Sequence, residues 1–504
     1  MMRIDKTIEL LQTVNQQLQD NLEKERAQNQ ILLAKIDGLQ HQLDKLLRLL
    51  YGKKSERNVS DKDKASGENK ADQHKEGSTA KTPSSKQQNG RNRLPDYLER
   101  KVTTYDINDS DKQCDVCGNQ RKCFGKDVSE QLEFIPAKLY VLQHVRLKYV
   151  CPCCHGNIIA APMPSNPIHK GLAGPHLLAE VIVSKYCDHL PLHRQEQRWK
   201  RLGMELPRST LCDWVSQCAG LFEPLVNAMK EDMLLLQSLH TDDTPVPVQA
   251  KNKTHKGRLW VYVSGRNQRF MCTIYDYTVS RSQQGPQTFL KNYKGYLHAD
   301  AYAGYDKLYE TGEIIELACF AHARRNFYDI TQAVEGPSLA DEALEFIGKL
   351  YAIEDYIRSM TTIERYYYRK RHTKPILKKF KSWLSRHQRG KKILPKSPIG
   401  QAISYSLNHW RALNNFLGFG DASVDNNTAE RAIKPLVIGR KNWLFAGSHQ
   451  GAKNTAILYS LIETCKQNNI NPSTYLADVL QRLPTQLMKN IRELLPYHWQ
   501  YSKI

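Results

Sequence analysis

Four acidic residues stand in contexts that suggest a role in chemistry. Asp242 and Asp243 are placed by the pattern at the end of one strand, Asp300 at the end of another, and Glu430 in the opening of a helix. Taken singly, each has an ordinary explanation as a turn, strand-end or surface helix residue. If they converge, they cannot all stay ionised without cations, and carboxylate oxygens with room for water and phosphate suit Mg²⁺ or Mn²⁺. Two such ions would support an in-line phosphoryl displacement.

The elements around these acids predict how they would be positioned. Residues 229–335 alternate as three strands of an antiparallel meander, followed by strand, helix, strand and helix. This order is that of an RNase H-like α/β fold, in which the first and fourth strands are neighbours. The ends of those strands would bring Asp242 beside Asp300, and a later helix would supply Glu430.

The net charge favours a polyanionic partner. Lys and Arg number 73 against 52 Asp and Glu, which gives a formal charge of +21, and nucleic acid is the default polyanion for such a chain. Residues 365–396 hold many basic and aromatic side chains and no acid, so their charges would repel one another without a polyanion. A solvated helical insertion is the alternative. The DNA contacts predicted in this stretch are Arg371, Lys378 and Lys379.

Composition excludes several classes of protein. The 504 residues are 40% hydrophobic and 25% charged, near globular averages, so a fibrous or mainly disordered chain is excluded. No apolar run reaches the ~18 residues that span a bilayer, and the N-terminus lacks the apolar core of a signal peptide. With the cysteines clustered in CxxC pairs, we expect a multi-domain protein of the reduced cytoplasm.

Cysteine spacing predicts a structural zinc site. Cys114 and Cys117 form one CxxC pair, and Cys151 and Cys154 form a second. The residues between the pairs alternate between apolar and polar, as paired strands do. Two pairs joined by a hairpin form a zinc ribbon, in which four thiolates close a tetrahedral site around one Zn²⁺. Buried, unligated cysteines are the alternative. Substitute ligands nearby are Cys123, Cys153 and His155.

The N-terminal segment predicts self-association. From Ile4 to Leu50, apolar residues recur in steps of four and three over unbroken heptads, which is typical of a coiled coil. Leu at most d positions, with Asn15 and Asn29 at a positions, favours a parallel dimer. Glu25 weakens one d position, and a helix that packs on its own chain is the alternative.

Residues 172–222 resemble a helix-turn-helix. Helical stretches follow one another with breaks at Pro191 and Gly203, and the last is preceded by a Pro-Arg-Ser-Thr sequence. A plain helical connector is the alternative. The basic residues placed to contact phosphates or bases are Arg198, Arg201 and Arg208.

Shifts in composition divide the chain into six segments. Residues 56–92 contain a single valine as their large apolar residue, so this stretch cannot offset its ordering entropy. The segments are a leucine-zipper-like coiled coil at 1–52, a disordered linker at 53–93, a zinc-ribbon DNA-binding domain at 94–160, a helix-turn-helix region at 161–228, an RNase H-like catalytic domain at 229–450 with a basic helical insertion at about 336–420, and a helical C-terminal segment at 451–504.

Several sequence blocks occur together in an order specific to one family. They are YGKKSER (51–57), KYCDHLPLHRQEQR (185–198), STLCDWV (209–215), HTDDTPV (240–246), HADAYAGY (298–305), CFAHARR (319–325), DNNTAERAIKP (425–435) and GRKNWLFAGS (439–448). With the CxxC pairs, they resemble the insertion-sequence transposases of the IS66 family, of the DDE class, over most of the chain.

The resemblance implies a transposase of a bacterial insertion sequence that cleaves DNA at the element ends and joins it to target DNA. It assigns Asp242, Asp300 and Glu430 as the catalytic acids, which would hold two Mg²⁺ or Mn²⁺ ions. The family usually has Asp-Glu-Thr where this chain has Asp242, Asp243 and Thr244. Asp242 is therefore the expected ligand, and Asp243 is an alternative one.

Other residues of these blocks would support the site. Cys319 and His322 form a CxxH pair, which we expect to be scaffolding or a phosphate contact, because two ligands do not close a zinc site. Phosphate contacts are expected from Arg431, Lys434, Arg440 and Lys441.

The expected partners are double-stranded DNA of the element ends and target, a second copy of the chain, and accessory proteins encoded by the same element. The protein would be cytoplasmic and bound to the nucleoid when on DNA. Two alternatives stay open. One is a zinc-ribbon and helix-turn-helix DNA-binding protein with an inactive core, and the other is a nuclease without strand transfer.

Overall fold

The computed structural model describes the C-terminal two-thirds of the chain. The described residues are 139–145, 148–149, 159–160, 165–169, 171–250, 253–300, 302–334, 336–390 and 392–500, with isolated positions 19, 25 and 28. The chain divides into two compact units, Met1–Lys54 with Arg146–Ile504 and Ser55–Val145. The predicted coiled coil is described only at those isolated positions, and the linker lies outside the described residues, as do the predicted zinc ligands Cys114, Cys117, Cys151 and Cys154. In the part described, no helix is both long and apolar enough to cross a membrane.

A five-stranded mixed sheet lies in the unit that contains Arg146–Ile504. After a short antiparallel pair, β1 (Lys148–Tyr149) and β2 (Ile159–Ala160), come β3 (Ser238–Ala250), β4 (Lys253–Ser264), β5 (Thr273–Thr278), β6 (Gly295–His298) and β7 (Ile314–Leu317). The order across the sheet is β5-β4-β3-β6-β7. β3, β4 and β5 pair antiparallel, whereas β6 is parallel to both β3 and β7. The first and fourth strands of this sheet are therefore neighbours, as the sequence predicted.

β3 is longer than predicted, and this changes where its acids lie. The strand continues to Ala250, so the prediction that it ends at Asp242 and Asp243 was wrong. β4 pairs with β3 along this whole extension, which carries the strand through Pro245 and Pro247. β6 pairs with β3 only as far as His240, so the prolines lie on a part of β3 that makes no ladder with β6, where a missing N–H is tolerated. The two acids therefore lie inside β3 just beyond the end of β6.

Helices make up most of the remaining described residues. They are α1 (Pro175–Tyr186), α2 (Leu192–Arg201), α3 (Arg208–Met233), α4 (Gln284–Phe289), α5 (Asp306–Tyr309), α6 (Phe320–Thr331), α7 (Leu339–Tyr356), α8 (Thr362–Tyr368), α9 (Lys374–Arg389), α10 (Pro398–Asn408), α11 (Trp410–Asn414), α12 (Asn427–Trp443), α13 (His449–Gln467) and α14 (Pro472–Arg482). A π-helical turn, Arg369–Thr373, joins α8 to α9.

The sheet shares one hydrophobic core with α1, α3, α13 and α14. α3 runs past the boundary predicted at residue 228, because its buried face continues to Met233. α13 covers the edge strand β5, where the hydroxyl oxygens of Ser460 and Thr464 accept hydrogen bonds from the backbone N–H groups of Tyr275 (2.8 Å) and Thr273 (3.0 Å). These bonds satisfy donors that an edge strand would leave open.

A second hydrophobic core lies in the helices between β7 and α12. It is built by α6, α7, α9 and α10, with the buried rings of Phe327, Phe380 and Trp383 in mutual contact. This is the region predicted as the helical insertion. After it, α12 returns to pack against β3 and β4, which brings a distant part of the chain back to the acid-bearing strand.

Candidate active site

The parallel pairing of β3 and β6 sets two carboxylates side by side. His240 pairs with His298 in the register, and each is followed two residues later by an acid, Asp242 and Asp300. Side-chain oxygens of Asp242, Asp243 and Asp300 lie within 4.8 Å of one another. The structure thus brings together the two acids that the sequence placed on neighbouring strands.

The third acid approaches the same cluster from helix α12. Glu430 lies in the first turn of α12, and its Oε1 is 3.8 Å from Nε2 of His322. Donor atoms of Cys319, His322 and Glu430 lie within 4.8 Å of one another. Burial above all, and then the charges of Asp300 and Glu430 among others, raise the pKa of Asp242. Glu430 is therefore within electrostatic reach of the aspartate pair, and the CxxH pair adjoins it.

A buried polar network holds the acid-bearing elements together. The rings of His240 and His298 stack with their centroids 4.5 Å apart. His240 Nδ1 lies 3.0 Å from Oδ1 of Asn426, and Asn426 Nδ2 donates to the carbonyl of Thr241 at 2.9 Å. Since Asn426 immediately precedes α12, these bonds fix the start of that helix to β3.

Cys319 joins the same network from the start of α6. Its buried Sγ accepts a hydrogen bond from the backbone N–H of Asn426 at 3.2 Å. Sequence reasoning expected scaffolding from Cys319, and this contact fits that role, but it missed His240, His298 and Asn426. A signal was present, because each histidine stands two positions before a predicted catalytic acid.

Asp243 is paired with two arginines. Its side chain is 2% exposed, and Oδ2 accepts a hydrogen bond from Arg258 Nη1 at 2.7 Å. Oδ1 accepts from Arg281, whose Nε is 3.0 Å and Nη2 is 2.8 Å away. Sequence reasoning missed both arginines, because neither lies in a block that it singled out. Because both of its carboxylate oxygens accept hydrogen bonds from arginines, Asp243 is less suited than Asp242 to bind a metal ion.

The cluster carries more acid than its cations neutralise. Burial raises the pKa of Asp242 to about 7, and neighbouring carboxylates add to the rise while the N–H of Asp243 opposes it. Burial also raises the pKa of Asp300, which Arg281 opposes. Oδ1 of Asp300 and Oε1 of Glu430 are buried and have no hydrogen-bond partner among the described residues. Buried acceptors without partners are costly, so this set of hard oxygen donors fits divalent cations.

Most of the DNA contacts predicted in the insertion and on α12 are exposed. These are Arg371, Lys378, Lys379, Arg431, Lys434 and Lys441. Lys378 also lines an open depression with Lys381, Arg386 and Arg389. Arg440 differs, because it donates to the carbonyl of Pro245 and burial lowers its pKa. It therefore fastens α12 to β3.

Two arginines of the basic stretch are buried in ion pairs. Arg365 pairs with Asp421, and Arg369 makes a bidentate pair with Glu354, with contacts of 2.7 and 2.6 Å. The prediction that all the charges of residues 365–396 are uncompensated was wrong for these two, because their partners come from segments outside that stretch.

The arginines of the predicted helix-turn-helix lie on α2 and at the start of α3. A six-residue turn containing Gly203, at a φ of +83°, separates these helices. Arg201 and Arg208 are exposed. Arg198 is half-buried and donates to Glu180 at 2.8 Å and to Ser184 at 3.2 Å. It is therefore held by α1 of its own chain.

Sequence comparisons identify domains that account for this layout. A family described as "Transposase IS66 family" matches residues 170–454. The zinc-finger binding domain of transposase IS66 matches residues 111–155, which span both CxxC pairs. The IS66 C-terminal element matches residues 460–497, and a region described as "Transposase C of IS166 homeodomain" matches residues 38–103.

Curated relatives extend over most of the chain. The uncharacterized protein y4hP of Sinorhizobium fredii is 33% identical over 427 residues, which cover 81% of this chain and 76% of the relative. The uncharacterized protein y4jD of the same organism is 30% identical over 424 residues, covering 81% and 82%. The mixed α/β fold and the order of domains agree with these matches. The chain therefore belongs to the IS66 family of DNA-binding transposases.

Proposed function

We propose that this chain catalyses metal-dependent cleavage of DNA at the ends of an insertion sequence and transfers the cleaved strand to target DNA. The proposal is carried by the carboxylates of Asp242 and Asp300, which lie within 4.8 Å of each other on neighbouring parallel strands. Glu430 of a distant helix is close enough for its charge to raise the pKa of Asp242. The strand order, three antiparallel strands followed by two parallel ones, is that of an RNase H-like core. We assign the fold to that class on this basis.

Asp242, Asp300 and Glu430 would hold two Mg²⁺ or Mn²⁺ ions. Such ions, when bound, supply stabilisation of the attacking and leaving oxygens of an in-line displacement. The buried, unpartnered oxygens of Asp300 and Glu430 and the raised pKa of Asp242 fit this use. The chain's own part is to hold the carboxylates in position from rigid elements.

The reaction has two displacements at phosphorus. In the first, water attacks the phosphodiester at the element end, its oxygen becomes bonded to phosphorus, and the bond to the 3′-oxygen breaks. In the second, the freed 3′-hydroxyl attacks a phosphodiester of the target and displaces its 3′-oxygen. Each attacking group loses one proton to solvent and each leaving oxygen takes one up, so no oxidant, reductant or covalent protein intermediate is needed.

The exposed cations would guide DNA to this site. Arg371, Lys378 and Lys379 lie on the insertion, and Arg431, Lys434 and Lys441 lie on α12, the helix that bears Glu430. Cations of this kind neutralise phosphate and make binding dependent on salt. The zinc ribbon at 94–160 and the helix-turn-helix at 161–228 would recognise the inverted repeats, with Arg201 and Arg208 as exposed contacts. The protein would act in the cytoplasm, on the nucleoid, with accessory proteins of the same element.

The deciding experiment is cleavage and joining of a labelled element-end duplex with Mg²⁺. The variant is Glu430→Gln, and the matched control is Glu345→Gln, which removes an exposed acid of α7 that pairs with Lys349. We expect products from wild type and control alone, and none when Mg²⁺ is chelated. A pre-cleaved duplex then tests joining. Hydrolysis without joining would identify a nuclease, and intact binding with no reaction of the pre-cleaved duplex would identify an inactive core.

Zinc is tested separately from cleavage. Cys114→Ser should release one zinc per chain and weaken binding to the element end, because three thiolates no longer close the site. Cys212→Ser, at an exposed cysteine of α3, is the control and should keep the metal. Unchanged zinc content in Cys114→Ser would contradict the ribbon.

Self-association is tested by removing residues 1–50. The remaining chain should fold and lose the pairing made by its N-terminus, which light scattering reports as a smaller particle. An unchanged number of copies per particle would place the contact between copies elsewhere.

A further inference from the structure

Arg281 is held beside the carboxylate cluster by three different groups. It lies in the loop between β5 and α4. Its Nε and Nη2 donate to Oδ1 of Asp243 at 3.0 and 2.8 Å, and Nη2 is 3.3 Å from Oδ2 of Asp300. The guanidinium lies over the ring of Tyr302, 4.1 Å from its centroid, and the Tyr302 hydroxyl donates to the Arg281 carbonyl. Both the backbone and the side chain of Arg281 are thus fixed.

This guanidinium keeps part of its capacity to bind. Its side chain is 37% exposed. Within the described part of the chain, Nε and Nη2 make its hydrogen bonds and Nη1 makes none. An arginine presents five N–H donors in a planar fork that matches phosphate oxygens. Arg281 therefore offers a positioned, solvent-facing donor next to Asp300.

Metal cations bound at the carboxylates would contact one oxygen of Asp300, and the Arg281 guanidinium would contact the other. Oδ2 of Asp300 faces Arg281, whereas Oδ1 is the buried oxygen that has no partner in the described residues. Asp243, with its second oxygen on Arg258, neutralises Arg281 without using Asp242 or Glu430. The two kinds of positive charge can therefore act together on one phosphodiester.

We propose that Arg281 is a catalytic residue that binds a non-bridging oxygen of the scissile phosphodiester, and that Asp243 is a positioning residue that aims it. This inference rests on the proposed function and names a substrate contact of the same site. It also gives Asp243 a role other than metal ligation. Charge that builds on the phosphate during displacement would be stabilised by a donor that is already in place.

Arg258 provides a matched comparison. It donates to the same carboxylate of Asp243 at 2.7 Å, but it comes from β4, and its side chain is 19% exposed. Arg258→Gln and Arg281→Gln each remove one guanidinium from Asp243. Only the second removes the proposed contact with the substrate.

The test measures single-turnover cleavage of two element-end duplexes at saturating protein and Mg²⁺. One has a normal scissile phosphate, and the other has a methylphosphonate there, used as separate diastereomers so that each non-bridging oxygen is replaced in turn. On the normal duplex, Arg281→Gln should lower the rate on the order of 100-fold. Arg281→Lys should restore part of it, since it keeps the charge and loses the fork.

The duplexes separate a substrate contact from a structural role. For one diastereomer, the slowing caused by the methylphosphonate should be at least about tenfold smaller in Arg281→Gln than in wild type, because the contact is already lost. Arg258→Gln should lower the cleavage rate of the normal duplex and that of the methylphosphonate duplex by the same factor. If Arg281→Gln slowed the methylphosphonate duplex by the same factor as the normal duplex for both diastereomers, the proposal would be overturned.

The inference can also fail or hold apart from the proposed function. Binding of the same duplexes in Ca²⁺ needs no turnover, and Arg281→Gln should weaken the normal duplex more than the methylphosphonate. If wild type cleaves and the two duplexes respond equally, Arg281 is structural and the proposed function stands. If wild type does not cleave but the binding difference appears, the contact stands and the reaction is wrong.

Discussion

The helical insertion and the carboxylate cluster both contain buried charged groups, but they differ in how fully these groups are paired. In the insertion, Arg369 is 2% exposed and makes a bidentate pair with Glu354. Its remaining donors reach the carbonyls of Phe416, Phe419, Gly420 and Ala422 at 2.9–3.3 Å. In the cluster, acids outnumber the arginines paired with them, and two buried oxygens have no hydrogen-bond partner in the described residues. Removing one partner of a fully paired buried charge is costly to the fold, whereas acids with strongly shifted pKa values are candidates for binding a ligand.

The largest effect should come from Asp300→Asn, which tests the incompletely paired charges of the carboxylate cluster. DNA cleavage should fall on the order of 10³-fold or more, about 4 kcal/mol of barrier, because one of three acids no longer carries charge. The free energy of unfolding without divalent cations should stay the same or rise, since repulsion among the acids is relieved. Thermal unfolding with and without Mg²⁺ checks this, as Mg²⁺ should stabilise wild type but not the variant. A large loss of stability without Mg²⁺ would mean that Asp300 is structural.

Arg369→Met tests the fully paired charge of the helical insertion. It should lower the free energy of unfolding by about 3–5 kcal/mol, because Glu354, whose side chain is only 16% exposed, is left without its counter-charge. Urea unfolding measures this, and Arg369→Met with Glu354→Leu should recover part of the loss. Cleavage per folded molecule should not change. A loss below about 1 kcal/mol would show that the pair behaves as an exposed one and would remove the contrast between the two regions.

Asn426→Ala sharpens the comparison, because Asn426 has hydrogen-bond partners and is placed to position Glu430, whose Oε1 has none in the described residues. Just before α12, the Asn426 side chain hydrogen-bonds to His240 and to the Thr241 carbonyl of β3. Its loss should loosen Glu430 and lower the rate of cleavage about 10–100-fold. The control is Asn442→Ala near the other end of the same helix, where the side chain donates to the Ile438 carbonyl of α12. Equal rates for the two variants would show that the network does not position Glu430.

The smallest effect is expected from exposed cations of the insertion. Lys378→Gln and Lys379→Gln should each weaken DNA binding and reduce the dependence of log K on log salt by about one. Lys349→Gln is the control, since Lys349 is exposed but pairs with Glu345 at 2.7 Å. Fluorescence anisotropy at several salt concentrations measures the slope. A slope that is unchanged in all three variants would place DNA on another face.

The sequence predicted the main elements of the core because strand periodicity and strand-helix alternation are local signals. It therefore anticipated that the strands bearing Asp242 and Asp300 are neighbours. The end of β3 was misplaced, because Pro245 and Pro247 suggested a turn, and only the pairing with β4 reveals that the strand continues. The predicted start of that strand was also wrong, because the apolar run at 233–236 suggested a strand, whereas α3 continues to Met233 and β3 begins at Ser238.

The sequence could not predict which charges are matched. Nothing near Arg369 in sequence identifies Glu354 or the carbonyls after Phe416 as its partners, since tertiary packing of the insertion supplies them. Arg281 and Asp243 are likewise 38 residues apart. The acids of the cluster were found because they lie in recognisable blocks, whereas the groups that hold them are ordinary polar residues whose roles depend on contacts.

The return of α12 to β3 has a consequence for how the protein is made. Glu430 is synthesised 130 residues after Asp300, which takes a ribosome roughly 6–26 s at ~5–20 residues per second. During that interval the nascent chain can fold its insertion, while the third acid is absent. Translation that stops within the insertion would yield a product with the DNA-binding segments and no complete site.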